Sequence, residues 1–138
     1  MRHYNLFPGF TLVEIVIVMV ILGILAIVAI PKYVDLAQSA RISTTQYSLG
    51  SIRSFVHMEY AERAQDPDIG ASFPPSISSS DFANSTEPYN HVTKKSGTET
   101  VSSAPTGSAT SSSYGFWYIP DNGSVGAYSD GDVDTTGW

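Results

Sequence analysis

Between Phe10 and Ile30 the chain reads FTLVEIVIVMVILGILAIVAI, in which only Thr11 and Glu14 are strongly polar. A helix rises about 1.5 Å per residue, so the run extends for about 30 Å, the thickness of a bilayer's hydrocarbon core. This composition predicts a membrane helix before any other element is considered. It also poses a question. An isolated carboxylate inside a bilayer is costly and rarely incidental, yet Glu14 stands at the head of the run. The run is too long for the apolar region of a secretory signal peptide, and no small-residue cleavage site follows it directly. Lys32 and Asp35 continue the same helical pattern, so the segment reads as one that stays attached. Arg2 and His3 have the sign of a flank that remains inside.

Four stretches follow from this frame. Residues 1–9 form a short polar leader closed by Pro8-Gly9, a helix breaker and a flexible residue that together make an exposed joint. Residues 10–31 form the transmembrane and assembly helix. Residues 32–64 continue it with a single apolar stripe, Ile42, Leu49, Ile52 and Val56, flanked by Phe55. Gly23 and Pro31 are weak points, because glycine lowers helix propensity and proline removes a hydrogen bond, and a bend or partial unwinding is expected between them during assembly. A helix over residues 10–64 is about 80 Å long. No compact fold of the remaining chain encloses such a length, so an apolar rod of this kind needs lipid or a partner.

Residues 65–138 form a variable, loop-rich β region. Its first part holds five prolines and the polar tract KKSGTETVSSAPTGSATSSS, where short strands around 90–93 and 98–103 or extended loops both suit the composition. YGFWYIP (114–120) reads as a strand, Asp121-Asn122-Gly123 as a turn and residues 124–129 as a second strand. The aromatic residues of this hairpin are expected to cover the helix stripe. The fold class is therefore α+β, a long N-terminal helix packed against a small antiparallel β-sheet.

The chain carries a formal net charge of -6, and beyond Pro31 acids outnumber bases, which argues against general nucleic-acid binding. There are no cysteines, so disulfides cannot fasten the β region. No serine, histidine and acid fall in a nucleophile context and no phosphate-binding glycine loop occurs, so an enzyme reading has no site behind it. His57 and Glu59 point in different directions on the helix and His91 stands alone in a loop; each histidine reads as a surface residue. Asn84-Ser85-Thr86 and Asn122-Gly123-Ser124 match the N-glycosylation pattern. Asp130, Asp132 and Asp134 alternate shortly after Asp121 and Asn122. They are either a solvated acidic turn or the oxygen ligands of a calcium ion, although the closing glutamate of an EF-hand loop is missing.

Gly9-Phe10-Thr11-Leu12-Val13-Glu14, directly before an apolar helix, resembles the prepilin-type N-terminus of type IV pilins and of the pseudopilins of type II secretion. Pro31 stands where that family usually has a proline, and PKYVDLAQSARISTTQ resembles the mannose-sensitive haemagglutinin pilin branch. Two features depart from the family: Pro8 replaces the usual Lys, Arg or Gln, and the C-terminal cysteine pair is absent. The resemblance implies that a prepilin peptidase/methyltransferase cuts after Gly9 and methylates the new Phe10 amine. It implies self-assembly into a helical homopolymer, with an inner-membrane assembly platform and minor pilins or pseudopilins as partners. The precursor would cross the inner membrane once, N-terminus in the cytoplasm, and the mature subunit would pass into an extracellular pilus or a periplasmic pseudopilus. Glu14 would pair with the Phe10 amine of its own subunit or of the next, and the second choice fixes an axial register. The major pseudopilins also bind calcium in a comparable C-terminal loop, which is the resemblance's argument for a metal at Asp130, Asp132 and Asp134.

The functions in play are a type IV pilus subunit serving adhesion, motility or DNA uptake, a major pseudopilin of type II secretion, and a membrane-anchored carbohydrate-binding module. A lone anchor does not need a second apolar stripe beyond the bilayer, which favours a filament. The missing cysteines and acidic ending lean toward the pseudopilin, and the PKYVDLAQSARIST segment toward the pilus.

Overall fold

The structure is a computed structural model that describes residues 9–105, 109–111, 113–131, 133, 135 and 138. A single helix, α1, runs over Leu12–Arg63 and carries Pro31 within it. The chain divides into two compact units, residues 1–37 and residues 38–138.

The described part of the first unit is helix from Leu12 onward, preceded by Gly9, Phe10 and Thr11. Its large apolar side chains are exposed to between 47% (Ile15) and 85% (Phe10). The helix pairs its backbone N–H and C=O groups within its own turns, and no face of this part is packed within the chain.

The second unit is built around a stripe of α1. Thr45, Leu49, Ile52 and Val56 are buried, at spacings of four, three and four. The stripe differs from the expected one at its start, since Ile42 is half-buried and Thr45 is fully enclosed. Against it lie two small sheets. Strands β1 (Tyr89–Asn90) and β2 (Lys95–Ser96) pair antiparallel. Strands β3 (Thr98–Thr100), β4 (Phe116–Ile119) and β5 (Ser124–Ala127) form a three-stranded sheet in that order. The hairpin of β4 and β5 is antiparallel, as its turn sequence requires, with Phe116 opposite Ala127 and Tyr118 opposite Val125. β3 instead runs parallel to β4, Thr98 opposite Phe116. A parallel pair needs a crossover of about a dozen residues or more, and the long Ser- and Thr-rich segment 101–115 supplies one.

Phe116, Tyr118, Val125 and Ala127 meet Leu49, Ile52, Val56 and Ile77 in one core, with Phe55, Phe73, Phe82 and Trp138 at its margin. Trp117 lies on the opposite side of β4 over Gly126. A Cβ at Gly126 would come within 2.2 Å of the indole, so only glycine admits the ring there.

Candidate functional site

The N-terminal site is a helix cap with a charge in it. Thr11 is the last residue before α1, and Glu14 lies in the first turn. The Thr11 hydroxyl accepts from the Glu14 backbone N–H at 3.3 Å. In return, the Thr11 backbone N–H and hydroxyl both donate to Glu14 Oε2, at 2.9 and 3.0 Å. This is a capping box, in which a threonine and a glutamate three residues on satisfy each other's orphan groups. The Thr-x-x-Glu spacing carried that signal in the sequence, and Thr11 is the functional residue that the reading above passed over.

The arrangement has a chemical consequence. A carboxylate at the head of an apolar helix keeps two hydrogen bonds from its own chain, which lowers the cost of holding the charge out of water. The cap does not close it off, because Thr11 and Glu14 are both exposed. Phe10, one residue before the cap, is 85% exposed, and Gly9 is exposed and non-helical. The Gly9–Phe10 bond therefore sits in accessible, non-helical chain directly before the helix. Gly23 and Pro31 both lie inside α1, which is continuous through them in the single chain; the bend expected between them concerns the assembled state.

The β region answers how a cysteine-free unit is fastened. Asn90 is completely buried and its side chain is bonded from both ends. Its Nδ2 donates to the carbonyls of Gly115 at 2.7 Å and Tyr128 at 3.0 Å. Its Oδ1 accepts from the backbone N–H of Val92 at 2.9 Å and Thr93 at 3.0 Å, and from the Thr45 hydroxyl at 3.4 Å. That hydroxyl in turn accepts from the His91 N–H at 2.9 Å. One amide thus ties α1, the β1–β2 turn and both ends of the β4–β5 hairpin. No sequence motif marks it, since its partners lie up to 45 residues away.

Two tyrosines add anchors. The Tyr118 hydroxyl donates to the Pro74 carbonyl at 2.7 Å, and burial pushes its pKa up to about 12 against the opposing pull of Arg63. The Tyr128 hydroxyl donates to Glu99 Oε2 at 2.9 Å; burial, then that bond and the carboxylate's charge, push it up to about 12 as well. Arg53 donates to the Val125 carbonyl at 3.2 Å and so covers an acceptor on the strand β5.

Of the three candidate calcium ligands, Asp132 and Asp134 lie outside the described residues, and Asp130 is exposed. Among the described residues, no three of His, Cys, Asp and Glu come together as a metal site requires. His57 is an exposed residue set edge-on to Phe73, and Glu59 bonds Arg63 at 3.0 Å rather than any histidine. His91 is set edge-on to Tyr89.

Residues 8–30 match the family model of the prokaryotic N-terminal methylation motif. Fimbrial protein EcpB of Eikenella corrodens is 48% identical over 48 residues, 35% of this chain and 30% of that protein. The type IV narrow pilus major component PilA5 of Thermus thermophilus is 44% identical over 46 residues, 33% of this chain and 40% of its own length. Both matches therefore span less than half of the relative. The type IV major pilin protein PilE1 of Neisseria gonorrhoeae is 31% identical over 121 residues, 85% of this chain and 72% of that protein. No solved structure matches the chain.

Proposed function

This chain belongs to the type IV pilin family, and from that premise we propose that it is the repeating subunit of a pilus, polymerised through α1 after removal of residues 1–9. The observation that carries the reading is the capped Glu14 at the head of a helix whose first half leaves its large apolar residues exposed on every side. That helix is long and apolar enough to cross a membrane. It is the precursor's anchor in the inner membrane, and after extraction other copies replace lipid around it.

The steps follow from the chain's own groups. Hydrolysis of the Gly9–Phe10 amide consumes one water and leaves a carboxylate on Gly9 and an amine on Phe10. N-methylation leaves that amine cationic. Glu14, one turn on, is the carboxylate that attracts it. Within one subunit Thr11 already satisfies Oε2, so the pairing that adds most is with the Phe10 amine of an incoming copy. A buried pair of this kind specifies alignment more than it adds stability. Thr11 is the positioning residue: it holds the carboxylate until the neighbouring amine arrives.

The relatives' names favour a surface pilus over a secretion pseudopilus, and adhesion, motility and DNA uptake are the uses such a filament serves. Calcium at Asp130, Asp132 and Asp134 is a proposal that rests on donor chemistry and on the resemblance to pseudopilins; thermal unfolding with calcium and with excess chelator tests it, and identical curves remove it. The assembly reading is tested by mass spectrometry of purified filaments, which should show N-methylated Phe10 as the first residue. Assembled filaments retaining Met1 would overturn it.

A further inference from the structure

The turn between β4 and β5 contains Asn122-Gly123, and both residues are there for structural reasons. Gly123 has φ +70°, a conformation that side chains rarely adopt, and the Phe73 ring occupies the space a Cβ would need, 2.3 Å away. Asn122 shapes the turn through its side chain, whose Oδ1 accepts from the Ser124 N–H at 3.0 Å. The fold thus requires glycine after an asparagine at an exposed turn. That dipeptide is chemically reactive, because glycine leaves the following backbone nitrogen unhindered next to the asparagine carboxamide.

We propose that Asn122 is a self-modification site that the folded turn holds in check and that local opening releases. The reaction is an intramolecular acyl transfer. The Gly123 backbone nitrogen, having lost its proton, attacks Asn122 Cγ; the C–N bond of the carboxamide breaks and ammonia leaves. The resulting cyclic imide is opened by one water at either carbonyl, giving aspartate or isoaspartate at position 122. No oxidant, enzyme or metal takes part.

The folded turn blocks the first step twice. The Gly123 N–H is bonded to the Ile119 carbonyl at 3.0 Å, so the nucleophile is engaged. The Asn122 Oδ1 is fixed on Ser124, so the carboxamide cannot rotate toward it. Opening the turn breaks both bonds together. Closure after reaction is penalised. Aspartate adds a charge beside Asp121 and loses the carboxamide, while isoaspartate lengthens the backbone by one carbon where Ile119 must stay opposite Ser124. A transient opening is thereby recorded covalently, and a turn that has opened once opens more easily again. This inference does not depend on the filament reading.

The test is peptide mapping by mass spectrometry of the full chain in detergent micelles, incubated at mildly alkaline pH with and without urea. Conversion at position 122 should be at least about tenfold faster in urea, since the reactive state is the locally opened one. Phe73→Ala, which removes the ring behind Gly123, should raise the rate without urea severalfold while Asn84 is unaffected. Hydrogen exchange of the Gly123 amide should rise in the same variant, and its rate should track conversion. Equal conversion with and without urea, or none in either, overturns the proposal. So does a Phe73→Ala variant that speeds amide exchange but leaves conversion unchanged.

Discussion

Residues 12–37 and 38–63 belong to one helix but are stabilised by different means. In the first part nothing is buried and the apolar side chains surround the axis. In the second, Thr45, Leu49, Ile52 and Val56 face a core of Phe116, Tyr118 and Val125. Hydrophobicity means opposite things in the two. Uniform apolarity makes the first part indifferent to which face is packed, which suits lipid and then a ring of identical neighbours. A single stripe commits the second part to one partner surface within its own chain. The polar residues follow the same division. Glu14 is held by its own turn and left accessible, whereas Thr45 and Asn90 are closed in and fully engaged.

The comparison breaks most severely at Glu14. Glu14→Ala should leave insertion and cleavage intact and lower filament yield by about tenfold or more, because the carboxylate that selects the incoming amine is gone. Glu14→Gln keeps the Thr11 cap and should assemble little better, which isolates the charge. Filament yield counted by electron microscopy, at matched levels of processed subunit, decides. A wild-type yield from the alanine variant ends the registration account.

Asn90→Ala should be the largest single loss in the second unit. It strands the Tyr128 carbonyl and the Val92 and Thr93 N–H groups and removes one of the two donors to the Gly115 carbonyl, at about 3–5 kcal/mol in total, with a melting temperature lower by about 15 °C or more. Cleavage after Gly9 should be unchanged. Circular dichroism melting of the full chain in micelles measures it, and a shift of only a few degrees would show that the network is not the fastening.

A matched pair sharpens the contrast between the two halves of α1. Leu49→Ala opens a cavity against the sheet and should cost about 2–4 kcal/mol. Ile21→Ala, where Ile21 is 52% exposed, should leave melting of the second unit unchanged and act only on assembly. Equal melting shifts would mean that the apolar half contributes to the core after all.

The mildest effect is that of base. Tyr118 and Tyr128 hold their protons to about pH 12, whereas unfolded tyrosine ionises near 10. Their contribution is fully present below about pH 10. Between 10 and 12 the unfolded chain binds fewer protons than the folded one, so stability falls as pH rises through that window. Denaturant titrations across it should show the decline, and Tyr128→Phe should lessen it, leaving the share of Tyr118. A flat profile in the native chain would exclude the buried hydroxyls as its source.

Much of this was legible from residue order. The apolar run predicts α1, FWYI with a following Asp-Asn-Gly predicts β4 and β5, and Thr-x-x-Glu at the start of the run is a recognised cap signal. Three features were not legible. Thr45 in place of Ile42 depends on a hydroxyl acceptor being wanted at one point of the core. The parallel direction of β3 depends on which way the chain returns between β3 and β4. Asn90 looks like any loop asparagine until its five partners are in place.

The division has a physical cause. Helix formation, capping and transfer into an apolar medium are settled by residues within a turn or two of each other, so residues 9–37 are determined by their own order of side chains. The second unit has no cysteine and, among the described residues, no long strand to impose its shape. Beside the apolar core, its shape depends on one amide and one hydroxyl, whose hydrogen bonds reach between residues 45 and 90, and 90 and 128. Those bonds gain free energy only when burial has removed competing water, and burial at Asn90 exists only once α1, the turn and the hairpin have closed on it together.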